Sequence, residues 1–76
     1  MKRMTIEKDY EKLIKRIALN IKHIREKRSL TQEGMGQFGF NYRFYQRVES
    51  GKYSFNLYTL HRLSKVFRVR ITEFFR

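Results

Sequence analysis

The segment Gly39–Ser54, "GFNYRFYQRVESGKYS", holds the side chains of this chain best suited to chemistry. Arg43, Arg47 and Gln46 carry planar polar groups that pair bidentately with guanine and adenine edges, and Tyr42 lies beside them. The same segment carries Phe44, Tyr45 and Val48. A helical step of about 100° per residue puts Tyr42, Arg43, Gln46, Arg47 and Ser50 on one side and Phe44, Tyr45 and Val48 on the other. The segment reads as a short helix with an anchored face and a face free to read a partner. An ordinary solvated helix surface has the same polarity; the choice of Arg and Gln and a tight turn from a preceding helix favour contact with DNA.

The charge balance points the same way. Lys and Arg number 18 against 7 Asp and Glu, a net charge of +11, and after Asn41 the only acids are Glu49 and Glu73. Such a surface attracts polyanions, nucleic acid first and an anionic membrane second. Enzymatic chemistry has little to draw on. The one aspartate is Asp9, His23 and His61 fall in different helices, and no phosphate loop or metal-ligand spacing occurs. We therefore expect no enzyme activity, cofactor or metal. His23 is expected as an exposed helix residue and His61 at the edge of the core. Without cysteine there is no disulfide framework, which makes a cytoplasmic address the default. No apolar run approaches the roughly 18 residues that span a bilayer, and "MKRMTIEKDY" has no signal-peptide core.

Helices must position these residues. From Ile6 the apolar side chains recur at Tyr10, Leu13, Ile17, Ile21 and Ile24, predicting one helix from Thr5, its cap, to Arg28. Thr31 caps a second, "QEGMGQF", whose Gly34 and Gly36 each weaken it by about 0.8–1 kcal/mol, so packing of Met35 and Phe38 must hold it. Gly39 stops that helix, Phe40 points inward, and Asn41 caps the next, which runs to Ser50 before Gly51. A fourth is predicted from Asn56, its cap, to Phe67, with Leu57, Leu60, Leu63, Val66 and Phe67 as its apolar face; "ITEFF" makes a last turn. The expected fold is all-α, with residues 1–15 an extension of the first helix and 16–76 the domain. A chain of 76 residues buries only about 60% of its unfolded surface, so a second subunit would help it, and Phe74 and Phe75 are expected to lack cover.

The stretch "SLTQEGMGQFGFNYRFYQRVESGK" resembles the helix-turn-helix of the Cro and lambda-repressor-like family, often called XRE-type regulators. The likeness runs from about Ile17 to Phe75. "LTQE" matches the opening of the family's second helix, Gly39 its turn glycine, Tyr45 and Val48 its buried recognition positions, and Glu49-Ser50-Gly51 its exit; "LYTLHRLSKVF" and "VRITEFF" match its last two helices. The resemblance implies a compact five-helix domain whose third helix lies in the major groove, two protomers reading a pseudo-palindrome. It places Tyr42, Arg43, Gln46 and Arg47 on bases, and Gln32, Asn41, Ser50, Lys52 and, with them, Tyr53 on phosphates. It also implies an ion pair between Arg25 and Glu49. Leu30 to Asn41 is one residue shorter than the family pattern, so the second helix or its turn must be tightened. Ser29 stands where glycine commonly ends the first helix.

The expected function is a transcriptional repressor acting on double-stranded DNA as a homodimer. An antitoxin that binds a toxin protein and autoregulates its operon is the alternative, since antitoxins share this fold. A basic segment acting on membranes is a third reading, disfavoured by the glycine punctuation and the motif. The extension before Lys15, with Leu19 and His23 opposite the apolar stripe, is either exposed surface or an additional contact with DNA or a partner.

Overall fold

The apolar stripe of the first helix decides how far that helix is covered. The computed structural model describes residues 3–76, and α1 spans Arg3–Lys27, about 37 Å at 1.5 Å per residue. Thr5 lies inside α1 instead of capping it. No breaker precedes it, and Arg3 and Met4 suit helix. Only the later part of the stripe is covered: Ile17 and Ile21 are buried and Leu13 and Ile24 half-buried, with Ile14 and Ala18 buried beside them, whereas Ile6 and Tyr10 are exposed and every residue from Thr5 to Lys12 faces solvent.

The other elements are a 3-10 helix, η1 (Glu33–Phe38), α2 (Tyr42–Val48), α3 (Leu57–Phe67) and a second 3-10 helix, η2 (Ile71–Phe75). No strand occurs among the described residues, so the fold is all-α. The segment "EGMGQF" is thus not an α-helix. A 3-10 winding rises about 2.0 Å per residue against 1.5 Å, which lets a short segment span the same gap, and its glycines oppose it least. Met35 is buried there, but Phe38 is exposed, contrary to expectation. Thr31 Oγ1 accepts from the Gly34 N–H at 2.9 Å.

Three helical segments close in one way. After α1, Ser29 N–H donates to Glu26 O and Leu30 N–H to Arg25 O; after η1, Gly39 and Phe40 bond to Gly36 O and Met35 O; after α3, Arg68 and Val69 bond to Lys65 O and Ser64 O. Each pair of bonds needs a left-handed residue, and these are Ser29 (φ 56°), Gly39 (φ 88°) and Arg68 (φ 56°). Only the glycine adopts that conformation without steric cost.

One core joins α1, η1, α2, α3 and η2 through Ile17, Ile21, Met35, Phe40, Tyr45, Val48, Leu60, Leu63, Phe67 and Phe74. Phe74 is fully buried by its own chain, so the expectation that it lacks cover is overturned, while Phe75 stays 43% exposed. Asn20 Nδ2 explains why η2 docks on α1: it donates to Phe74 O at 3.0 Å and Arg76 O at 2.9 Å. Leu57, expected in the apolar face of α3, is 73% exposed at its first turn, and His61 is exposed rather than at the core edge. Arg28 Nη2 donates to Phe67 O at 2.6 Å, satisfying a carbonyl at the end of α3.

Candidate nucleic-acid interface

The polar row on α2 is held out by what lies beneath it. Asn41 Oδ1 accepts from the Phe44 N–H at 3.1 Å and fixes the start of the helix. Tyr45 and Val48, both fully buried, seal its inner side, and Phe40 packs edge-to-face on Tyr45 at 5.7 Å. Tyr42, Arg43, Gln46 and Arg47 are all exposed. Gln46 Nε2 donates to Tyr42 Oη at 3.2 Å, linking the first and second turns of the row. The α-helix ends at Val48, two residues before the expected Ser50. Ser50 belongs to the turn, its hydroxyl donating to Arg47 O at 2.7 Å and accepting from the Lys52 N–H at 3.1 Å. Gly51 follows at φ 80°, and a Cβ there would meet Lys15 Cγ at 3.4 Å.

Beyond this turn, Arg47, Ser50, Lys52, Tyr53 and Ser54 line a cleft of about 540 Å³. Tyr53 sits edge-to-face between Phe44 at 5.5 Å and Phe55 at 5.1 Å, and the Arg47 guanidinium lies 6.0 Å above its ring. Tyr53 thus supports Arg47 as much as it lines the cleft. Its hydroxyl lies 3.5 Å from Thr59 Oγ1.

Beneath α2, Arg25 and Glu49 form a bidentate pair, with Nε to Oε2 at 2.6 Å and Nη2 to Oε1 at 3.0 Å. Arg25 Nη1 also donates to Leu30 O at 2.7 Å, so one side chain ties α1, the loop after it and the end of α2. Gln32 is drawn into this cluster, its Nε2 donating to Glu49 Oε1 at 3.0 Å. Its amide is therefore engaged by the carboxylate, and Gln32 does not line the cleft that gathers Arg47, Ser50, Lys52 and Tyr53. The Tyr45 hydroxyl is buried beside the pair without a completed hydrogen bond. Burial, followed by the neighbouring Glu49 carboxylate, pushes its ionisation far above the usual phenol range.

Burial alone would raise the Glu49 carboxyl, but the Arg25 hydrogen bonds, then the Tyr45 and Gln32 side chains, outweigh it and hold it below its ordinary 4.5. A depressed folded value means that the carboxylate stabilises the fold fully above about 4.5 and loses that contribution as pH falls through the folded value. The stability gap between the wild type and Glu49→Gln should therefore be constant at neutral pH and close below pH 4.5 in urea-unfolding series. A gap unchanged through the acid arm would show that Glu49 is not the stabilising charge.

Local sequence carried no signal for the Arg62 guanidinium, which stacks 4.0 Å over the Phe40 ring and supports the turn into α2. The bond between Tyr10 Oη and Ser54 Oγ, which fastens α1 to the cleft loop, was equally hidden. Among the described residues no group of three His, Asp or Glu could hold a metal ion, and no helix is long and apolar enough to cross a membrane. Comparison with protein-family models, curated proteins and solved structures finds no match to this chain.

Proposed function

We propose that this chain binds double-stranded DNA sequence-specifically, as a lambda-repressor-like helix-turn-helix domain acting as a transcriptional repressor. In this reading η1 crosses the DNA backbone and α2 enters the major groove. The observation that carries it is the exposed row Tyr42, Arg43, Gln46 and Arg47 on a helix whose other side is sealed by Tyr45 and Val48. A packed inner side holds the row rigid, which base readout requires. Lys52 in the adjoining cleft takes a phosphate, and a net charge of +11 draws the duplex in. Two protomers bind a pseudo-palindrome as a homodimer.

Selection of bound sequences from a random duplex pool, followed by affinity measurements across a salt series, tests this. Arg43→Ala and Arg47→Ala should each lose about 1–3 kcal/mol of discrimination at particular base pairs. Lys52→Ala should weaken selected and scrambled DNA alike and lower the salt slope by about 0.9. Equal losses on both DNAs for the two arginine variants would make the chain a non-specific binder.

One observation favours a second reading. Tyr10, Leu13, Phe55, Leu57 and Phe75 help to line an apolar groove of about 260 Å³, far from the polar row in character and suited to a protein partner. An antitoxin would hold its toxin there and autoregulate through α2. A footprint with two-fold symmetry from the chain alone supports the regulator, whereas DNA binding that requires a co-purified toxin supports the antitoxin.

A further inference from the structure

We propose that the N-terminal half of α1 is a second phosphate-binding surface, on which Lys8, Lys12 and Lys15 prolong the basic cleft of Arg47 and Lys52 along the DNA backbone. This rests on the DNA-binding reading of α2 and adds a contact that no residue of α2 supplies.

The first observation is that little packing supports the start of α1. Thr5 to Lys12 are all exposed, yet isolated helical turns in water are marginal and usually owe their persistence to tertiary contact. The second is that it is nonetheless fastened beside the cleft. Tyr10 Oη bonds to Ser54 Oγ, and Ser54 is a cleft residue. One turn further on, Lys15 lies against Gly51, and Lys15, Glu11, Ile14, Gly51 and Lys52 line a neighbouring depression of about 330 Å³. At Lys15 the surface of α1 therefore adjoins that of Lys52, and Lys12 and Lys8 follow one and two turns further along the helix.

The third observation is the charge pattern. At about 100° per residue, Lys8, Lys12 and Lys15 fall within an arc of about 60°. Glu7 and Asp9 lie outside it, and Glu11 borders it on the Lys52 side. No ion pair among the described residues engages the three lysines, all of which are exposed. They span about 10 Å of helix axis at 1.5 Å per residue, over which one DNA strand presents about three phosphates at 3.4 Å per charge. Of the exposed apolar residues of α1, Ile6 and Tyr10 project from the opposite side and Leu19 alone continues the line of the lysines, too little apolar surface to sink the arc into a bilayer, so a rigid polyanion is the occupant it suits.

The test compares the full chain with the variant Lys8→Gln/Lys12→Gln/Lys15→Gln and with Glu11→Gln, after confirming equal thermal stability. The probe is a random-sequence duplex in two lengths, one covering only the turn read by α2 and one extended by a helical turn on each side. On the longer duplex the triple variant should lose about 2.7 from the slope of log affinity against log salt, at about 0.9 per phosphate, and Glu11→Gln should bind more tightly. On the shorter duplex the triple variant should match the wild type. An unchanged slope on the longer duplex, with the wild type still binding, overturns this surface and leaves α2 untouched. Absence of salt-dependent binding by the wild type overturns both readings. Lysine-dependent binding to phosphatidylserine vesicles without a matching loss on the longer duplex assigns the arc to membranes and overturns the proposal.

Discussion

Arg25→Ala should lower the unfolding free energy by roughly 3–5 kcal/mol, because it leaves the Glu49 carboxylate buried without its cation. The two side chains are only 8% and 3% exposed, so water cannot replace the lost partner. A 76-residue domain holds on the order of 4–11 kcal/mol in total, at about 0.05–0.15 kcal/mol per residue, so the variant stands near the edge of folding. Two attachments fail together: the bidentate bonds to Glu49 and the bond to Leu30 O. Urea unfolding of Arg25→Ala, Glu49→Ala and the double variant forms the measurement. The double variant should cost clearly less than the sum of the single ones, since it leaves neither charge stranded. Strict additivity would mean that the pair is not an energetic unit.

Phe74→Ala should cost about 3–5 kcal/mol, the usual range for emptying a buried phenylalanine site. Its ring has no exposed surface and lies in the one core shared by all five helical segments. The effect should spread, since η2 is held to α1 by this ring and by the Asn20 bonds to Phe74 O and Arg76 O. Phe75→Ala is the internal comparison. Its side chain is 43% exposed, and its loss should cost under about 1 kcal/mol. If Phe74→Ala fails to fold, Phe74→Leu should show a smaller loss of the same sign in chemical denaturation. Equal costs for the Phe74 and Phe75 variants would reverse the assignment of inner and outer aromatic.

What the sequence determined by itself is what neighbouring residues decide. The stops at Gly39 and Gly51 were legible because a left-handed backbone suits glycine, and both have positive φ. The caps Asn41 and Asn56 were legible because their side chains bond three residues ahead, to the Phe44 and Thr59 N–H groups. The split of α2 into a sealed side and an exposed row followed from helical period alone, and the structure buries Tyr45 and Val48 as that period requires.

Tertiary structure decided whatever depends on residues far apart in the chain. Periodicity marked Ile6 and Tyr10 as apolar positions of α1, yet both stay exposed, while Ile14, Ala18 and Arg25 are buried. Arg68 takes a left-handed conformation that its side chain does not favour, because Val69 and Ser64 must close the end of α3 before η2 can turn back onto α1. Phe74 and Phe75 are chemically identical neighbours, and only the docking of η2 through Asn20, more than fifty positions earlier, makes one of them core and the other surface. Local bonds and period act within a turn or two of chain and can be read along it. Burial is a property of what arrives from elsewhere, and it exists only once the chain has closed.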